Sequence, residues 1–592
     1  MYVLATAGHV DHGKSTLVRA LTGMEPDRYV EERRRGLTID LGFAWTSLPS
    51  GEQVAFVDVP GHERFVSTML AGVGPVPAVV LVIAADGGWS AQTQEHVAAL
   101  DALGVTAGVV VVTRTDLADP GPVLAEVGEW LTGTSLAGIP GVSCSAVTGA
   151  GLADLRRSLS DLVSGLPDPD LAAPTRLWID RAFTMRGAGT VVTGTLPAGR
   201  LHSGEELILA RTGQSIVVRG LQSMNEPMST VEAVARVAVN LRGISAPALG
   251  RGDALLTRGR WALTSTIDVL LASVKERIPA EMTMHIGTAA LPVRTRRLGD
   301  RGVRLILAGQ VAVSYGDRIL LRDPGSRAIV GADVLDPLPR PLPRQRGAAA
   351  RRGVELAELA AGPDPDGELR RRGIERADAF ATLGHGRPST DPIGGWLMDP
   401  TTRAQLTDRL ARLSTDHRHQ QPLDAGLASG AAARSLGLPD PRLLAALVRP
   451  PWQLVAGRIT SAEQDPDVLP PEVEGGVNKI RERLRDNPFD APTPTDLAEL
   501  RLTPAGLAAA VRAGLLITVG DGVYLAQEAR EVAVTRLQTI EQPFTTSQAR
   551  TALQTTRRVV LPLLQWLDAA GVTVRLPDDR RRLRHAAISP RA

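Results

Sequence analysis

Apolar and polar positions fall into three successive patterns along the chain. In the first, YVLAT reads as a short buried strand, the polar, glycine-rich GHVDHGKS follows, and LVRALTG has the spacing of a helix. QVAFVDVPGH is another strand, ending at Asp58; AVVLVIAAD is a third, and AGVVVVTRTD a fourth that ends at Asp116. Continuous apolar strands alternating with helices predict a parallel sheet covered on both faces, with its working residues at the carboxyl ends of the strands.

The period changes after LPDPDLAAP. RLWIDRAF, TVVTGTL, ELILA, QSIVVRGLQSM, ARVAVNL and DALLT are short alternating runs broken by glycine-rich turns, and a second set runs from TIDVLLASV to AIVGADVLD. This spacing predicts two antiparallel barrels. RGAGTVVTG belongs here: no helix follows its glycines, so it reads as a turn into a strand and not as a phosphate loop.

The third pattern follows a Pro- and Arg-rich linker, PLPRPLPRQRG. TTSQARTAL, with Thr546 as N-cap, the helix TRRVVLPLLQWLDAAG, and a hairpin from VTVRL to RRRLRHA make a helix–turn–helix with a wing. Val559, Leu563, Trp566 and Ala570 mark the apolar stripe of the second helix, and Pro562 is expected near that helix's start. PTPTDLAELRL, TPAGLAAAVRAGLL and ITVGDGVYLA repeat the order; GAAARSLGL, PRLLAALV and WQLVAGRIT form a looser copy, and a fourth lies near 345–410. The predicted fold class is multidomain. An α/β P-loop domain occupies 1–170 and antiparallel β-barrels 171–260 and 261–340, followed by an array of winged-helix modules over 345–410, 411–470, 471–537 and 538–592.

Composition narrows the functions. The chain has 592 residues, is 43% apolar and carries a net charge of +2, so it buries real cores and any nucleic-acid surface must be local. A single cysteine, Cys144, excludes an internal disulfide and a cysteine zinc cluster and fits a reducing compartment. The N-terminus lacks the basic stretch of a signal peptide, and no apolar run reaches the roughly 18 residues of a membrane span. Aromatics at 3% argue against base-stacking platforms. Of 66 basic residues, only Lys14, Lys275 and Lys479 are lysine.

The first of those lysines sits in a G-x-x-x-x-G-K-S element. It comprises Gly8, His9, Val10, Asp11, His12, Gly13, Lys14 and Ser15, with Thr16 next, in strand–loop–helix context. Glycines let backbone N–H groups approach phosphates, and the helix N-terminus adds positive dipole. Lys14 puts a compact charge at the β- and γ-phosphates, and Ser15 offers a hydroxyl to Mg²⁺. Asp58 reaches Mg²⁺ through water, and the Gly61 N–H senses the γ-phosphate. Asp116 accepts hydrogen bonds from guanine N1–H and its exocyclic amine, which adenine lacks, and so selects GTP over ATP. Ser145, Ala146 and Val147 are placed to cover the base.

GHVDHGKST, RRRGLTID, DVPGHERF, TRTD and SAV together resemble the GTPase domain of translation factors such as elongation factor Tu. The resemblance implies that Thr38 binds Mg²⁺ in the GTP state and that His62 is the catalytic residue that orients the attacking water. One departure stands out: the family's N-K-x-D is here Thr113-Arg114-Thr115-Asp116. An Asn amide is missing, worth about 0.5–1.5 kcal/mol for a neutral hydrogen bond, or tenfold at most. Guanine preference is therefore expected to survive with looser nucleotide affinity. No arginine finger is evident, so unaided hydrolysis is expected to be slow and triggered by a partner.

FTMRGAGTVVTG resembles the second-domain signature of the elongation factors, and the preceding IDRAF resembles that of the selenocysteine-specific ones. Elongation factor Tu has an acid where Arg181 stands. In the selenocysteine family the pocket for the aminoacyl group uses the Asp and Arg of this motif, here Asp180 and Arg181. It also uses an Arg ahead of an A-L-N-like strand, which matches Arg236. A selenol is anionic at neutral pH; arginines favour it and leave neutral serine with nothing to offset their desolvation.

Residues 571–592 hold six arginines and two aspartates. Arg557, Arg558, Arg575, Arg580, Arg581, Arg582 and Arg584 are the candidate grip on structured RNA. The resemblance implies a tail of four winged-helix modules, the last binding an mRNA hairpin. The expected function is that of a bacterial selenocysteine-specific elongation factor. Such a factor uses GTP and Mg²⁺, brings selenocysteinyl-tRNA to the ribosome at UGA codons beside the hairpin, and works as a cytoplasmic monomer away from membranes. Three rivals are a general aminoacyl- or initiator-tRNA carrier, a non-enzymatic RNA-binding regulator and a sulfate-activating GTPase subunit. Arg181, Arg236 and the long tail oppose the first, the intact set Lys14, Ser15, Thr38, Asp58 and His62 the second, and the winged-helix modules the third.

Overall fold

The apolar runs of the first pattern become a six-stranded sheet. In the computed structural model, which describes residues 1–26, 38–62, 65–74, 76–274, 277–462 and 468–584, the strands are β1 (Tyr2–Ala7), β2 (Gly42–Ser47), β3 (Gln53–Asp58), β4 (Ala78–Ala84), β5 (Ala107–Thr113) and β6 (Gly141–Ser143). Their order is β2-β3-β1-β4-β5-β6, parallel throughout except for β2 against β3. Every residue of β4 is buried. Helices Val66–Val73, Ala91–Ala102 and Gly121–Leu131 pack on one face of the sheet, and Lys14–Thr22 and Leu152–Ser164 on the other. β5 stops earlier than expected. It ends at Thr113, because Arg114 takes φ 58° and turns the chain into a loop that carries Asp116 outside the sheet.

The second pattern folds into two rings of antiparallel strands. In the first, Glu206–Leu209, Ala254–Leu256, Arg176–Met185, Gly189–Leu196, Ala235–Arg242 and Ser215–Ser223 pair in turn, and Ser215–Ser223 closes the ring on Glu206–Leu209. RGAGTVVTG is the hairpin turn of this barrel: Met185 pairs with Gly189, and Gly187 and Gly189 take φ 82° and 85°. The second ring is a closed six-stranded barrel between Ala262–Leu271 and Ile329–Asp336.

Two helices outside the barrels are bound to the second ring by charge. Asp268 and Asp336 on its strands are 0% and 5% exposed. Asp268 accepts from Arg304 Nε at 2.6 Å and Arg352 Nε at 2.8 Å, and Asp336 accepts from Arg352 and, at 3.0 Å, from Arg372 Nη2. Arg352 and Arg372 lie on helices Ala348–Leu359 and Pro365–Arg372. Leu356 and Leu359 join Leu270, Leu298 and Leu335 in the apolar patch beneath them. Burial pushes the Asp336 carboxyl up even against its arginines. The compact unit containing the sheet and barrels therefore extends to Asp391, and a second unit spans Pro392–Ala592.

In the second unit, helices Pro494–Glu499 and Pro504–Arg512 precede the hairpin Ile517–Gly520 with Val523–Leu525. Helices Thr546–Leu553 and Arg557–Ala569 precede Thr573–Arg575 with Arg581–Leu583. In the looser copy, PRLLAALV forms a 3-10 helix, Pro441–Ala446. Three details of the last module differ from expectation. The N-cap is Thr545, which forms a capping box with Gln548, because the helix already begins at Thr546. The buried stripe is Val559, Val560, Leu563, Leu564 and Leu567, with Trp566 half-buried and Ala570 exposed. Pro562 lies inside the helix rather than at its start; its Cβ would stand 2.5 Å from a Cβ at Gly520, so a glycine in the preceding wing makes room for it.

Candidate functional site

The loop after β1 has the conformation its glycines permit. Gly8, Asp11 and Gly13 take φ 131°, 63° and 84°, and helix Lys14–Thr22 starts directly at Lys14. A Cβ at Gly8 would collide with the backbone oxygen of Val82 on β4. Lys14 is 6% exposed, and its ammonium donates to the loop's own carbonyls, Gly8 O at 3.1 Å and His9 O at 2.7 Å. Gly61 packs on the same spot: a Cβ there would lie 2.5 Å from Lys14 Nζ and 2.6 Å from the Val10 nitrogen. The segment after β3 thus meets the loop where Lys14 ends.

Ser15, Thr38 and Asp58 converge. Ser15 Oγ donates to Asp58 Oδ2 at 2.6 Å and lies 3.0 Å from Thr38 Oγ1. Thr6 Oγ1 donates to the other oxygen of Asp58 at 2.7 Å and accepts from Val59 N at 3.1 Å, fixing a carboxylate that is fully buried. Two hydroxyls and a carboxylate form a hard oxygen set that fits Mg²⁺. His62 stands close by, half-buried, edge-on to Phe65 at 6.1 Å between ring centroids.

Imidazoles beside the loop are kept neutral. Burial lowers His12 to about 4 and His96 to about 3, with Lys14 and His9 adding to the effect, and burial also lowers His9. His96 Nδ1 accepts from Gly8 N at 3.0 Å and so pins the start of the loop. Positive charge is left to Lys14. The sequence offers no sign of His96's role, since it sits mid-helix 88 residues from its partner.

At the base end, Thr113 takes over part of the missing Asn. Its hydroxyl donates to His12 O at 2.8 Å, so the tie from this strand to the phosphate loop survives. Arg114 reaches Asp86 at 3.2 Å and the Asp11 carbonyl. Asp116 is exposed beyond them. Ser145 is fully buried and its Oγ accepts from Val147 N at 3.3 Å and Thr148 N at 3.1 Å, holding the Ala146–Val147 backbone in a loop whose Val147 is 81% exposed.

The residues expected at the barrel also converge, through a bulge. Along Arg176–Met185 the register slips between Ile179 and Arg181, so Asp180 is the extra residue, and bulges re-aim side chains. Gly194 opposite allows the close approach, since a Cβ there would strike the Trp178 oxygen. Asp180 Oδ1 accepts from Arg236 Nη2 at 2.8 Å and Thr193 Oγ1 at 2.8 Å, and Oδ2 accepts from Arg236 Nη1. The Arg236 guanidinium lies 3.7 Å from the centroid of Phe43, on β2, with Arg181 5.7 Å from the same ring. Arg181 donates to Asp40 Oδ2 at 2.9 Å and Leu41 O at 3.0 Å. Asp40 also holds Arg251. Burial pushes the Asp40 carboxyl up, but Arg251 and Arg181 outweigh it and keep it below the usual range. Three guanidiniums against two carboxylates leave one net positive charge. Phe43 and Asp40 are not legible in the sequence because their contacts join the sheet to the barrel, and Thr193 and Arg251 because theirs to Asp180 span 13 and 71 positions within the barrel.

The tail arginines divide. Arg557, Arg582 and Arg584 are exposed. Arg575 and Arg580 are exposed but paired with Asp579 and Asp578. Arg558 donates to the Ala491 and Pro492 carbonyls. Arg581 is 5% exposed, and its Nε donates to Asp568 at 2.8 Å, which ties the wing to the helix.

Family profiles match three stretches of the chain. The family profile "Elongation factor Tu GTP binding domain" matches residues 1–165, "Elongation factor Tu domain 2" residues 189–256, and "Elongation factor SelB, winged helix" residues 535–582. The selenocysteine-specific elongation factor of Desulfomicrobium baculatum is 31% identical over 638 aligned positions, covering 98% of this chain and 99% of the relative. That of Escherichia coli K12 is 37% identical over 347 positions, 56% of this chain and 55% of the relative. The crystal structure of a bacterial selenocysteine-specific elongation factor, EF-Sec, shares the fold with a TM-score of 0.74 at 24% identity, covering 99% of this chain and all of that one. No helix among the described residues is long and apolar enough to cross a membrane.

Proposed function

Since the chain belongs to the selenocysteine-specific elongation factors, we propose that it carries selenocysteinyl-tRNA in a GTP-bound state to UGA codons marked by an mRNA hairpin, and that ribosome-triggered hydrolysis releases it. It acts as a cytoplasmic monomer. Lys14 meets the β- and γ-phosphates, the Gly61 N–H faces the γ-phosphate, and Asp116 reads guanine against a base covered by the Ser145–Val147 backbone. Ser15, Thr38 and, through water, Asp58 would hold Mg²⁺, which supplies charge neutralisation on the phosphates. His62 orients the attacking water for in-line displacement, and Lys14 stabilises the charge that develops.

The observation that carries the cargo assignment is the meeting of Asp180, Arg181 and Arg236 over Phe43 in a cluster of net positive charge. An anionic selenolate gains there what a neutral seryl hydroxyl cannot. The test is equilibrium binding of selenocysteinyl- and seryl-tRNA of one tRNA body in the presence of GTP. Tighter binding of the first, lost in Arg181→Asp with GTPase activity kept, is the expected result; equal affinities in the wild type would sink the assignment. Deleting 538–592 should abolish mRNA-hairpin binding and spare tRNA binding.

A further inference from the structure

Arg181 and its neighbour Arg251 share one carboxylate, and that carboxylate belongs to the nucleotide side of the molecule. Asp40 follows Thr38 by two residues, so its Cα is tethered within about 7.6 Å of the Thr38 Cα. Thr38 itself stands 3.0 Å from Ser15 Oγ. From there Asp40 binds Arg181 through Oδ2 and Arg251 through Oδ1. Arg251 adds two more contacts: its Nε donates to the Asp180 carbonyl at 3.2 Å, and its Nη1 to Thr68 Oγ1 at 3.0 Å. Thr68 lies on helix Val66–Val73, which follows the Gly61–His62 segment. The bulge that presents Asp180 and Arg181 is thus held by both chain segments that border the γ-phosphate position.

One further donor of Arg181 supports a directional reading. With Nη2 occupied by Asp40 and Leu41, its Nε is buried without a hydrogen-bond partner. An unsatisfied buried donor calls for a ligand. Asp40 and Leu41 hold the guanidinium through Nη2, and the neighbouring Nε–H is left for an anion.

We propose that Asp40 is a positioning residue that couples nucleotide state to cargo selection. While Thr38 lies against Ser15, Asp40 holds Arg181 oriented toward the aminoacyl group; when the Thr38 segment leaves, Asp40 leaves with it and Arg181 loses that orientation. This rests on the assignment of Asp180, Arg181 and Arg236 as the aminoacyl pocket.

The experiment measures binding of selenocysteinyl- and seryl-tRNA of one tRNA body, with a non-hydrolysable GTP analogue and with GDP, to the full-length protein, Asp40→Asn, Asp40→Glu and Arg181→Asp. Asp40→Asn should reduce the selenocysteinyl preference roughly tenfold in the analogue state, as expected for neighbours in one charged network, and leave seryl-tRNA and GTP affinity within about twofold. Asp40→Glu should restore most of the preference, which a merely structural role would not require. A preference unchanged in Asp40→Asn but lost in Arg181→Asp overturns the coupling and leaves the pocket standing; a preference unchanged in both removes the pocket as well. If Asp40→Asn loses GTP binding through misfolding, Arg251→Met decides. It should narrow the analogue-versus-GDP difference in selenocysteinyl-tRNA affinity, and an undiminished difference overturns the proposal.

Discussion

At the scale of single residues, Thr113 shows how a motif changes without losing its mechanical part. The Asn-to-Thr departure was legible in the sequence as a missing amide; that the hydroxyl would reach His12 O at 2.8 Å was not, because the bond spans 101 positions. Thr113→Asn is therefore expected to tighten guanine-nucleotide binding by less than about tenfold, the worth of one neutral hydrogen bond. Titration with a fluorescent GDP analogue measures it, and a gain of several orders of magnitude would mean that the hydroxyl does no such service. His96 makes a second residue-scale prediction. Its pKa, lowered to about 3, and that of His12, lowered to about 4, lie below the ordinary value of 6.5, so the unfolded chain binds more protons in between. Stability should be full above that ordinary value and fall as pH drops through the window. Thermal melts from pH 7 to 4.5 should show this slope, and His96→Asn should flatten it.

Elements tell a different story. The strands of the sheet and barrels were legible because burial on both faces, or on one, writes itself into the sequence as apolar runs or alternation. The bulge at Asp180 was not, because it is a register slip between two strands, beside a close backbone approach that Gly194 permits. The last winged helix was legible as an order of elements but not in its details: Pro562 reads as a helix start until the Gly520 that accommodates it is seen. Its arginines likewise looked alike in the sequence, yet they fall into buried ties and exposed charges. Arg581→Ala is expected to lower the melting temperature of the second unit, since it strips Asp568 of its buried partner. Arg582→Glu should leave melting unchanged while weakening binding to a hairpin RNA and reducing the slope of log affinity against log salt by about one. Calorimetry and a salt series separate the two, and identical behaviour of both variants would contradict the division.

On the scale of the whole molecule, the buried ions around Asp268 and Asp336 decide where the first unit ends. The Pro- and Arg-rich linker suggested a boundary before residue 345, and composition alone could not reveal that Arg352 and Arg372 return to the barrel. Removing one side of a buried ion pair costs about 3–5 kcal/mol because a charge is left unpaired. A fragment of residues 1–391 is thus expected to fold and bind guanine nucleotides, whereas 1–340, which strands Asp336 and leaves Asp268 with Arg304 alone, should melt far lower or aggregate. Equal melting temperatures for the two fragments would show that the ions contribute little.

The burial of Lys14 has a practical consequence. The residue is 6% exposed and its amine is engaged by Gly8 O and His9 O, whereas Lys479 is exposed, and the chain has only one lysine besides these. Amine-directed reagents such as activated esters will therefore meet a nearly empty field in which Lys14 is shielded. A fluorophore or surface tether can be placed through Lys479 while the loop around Lys14 is left chemically untouched.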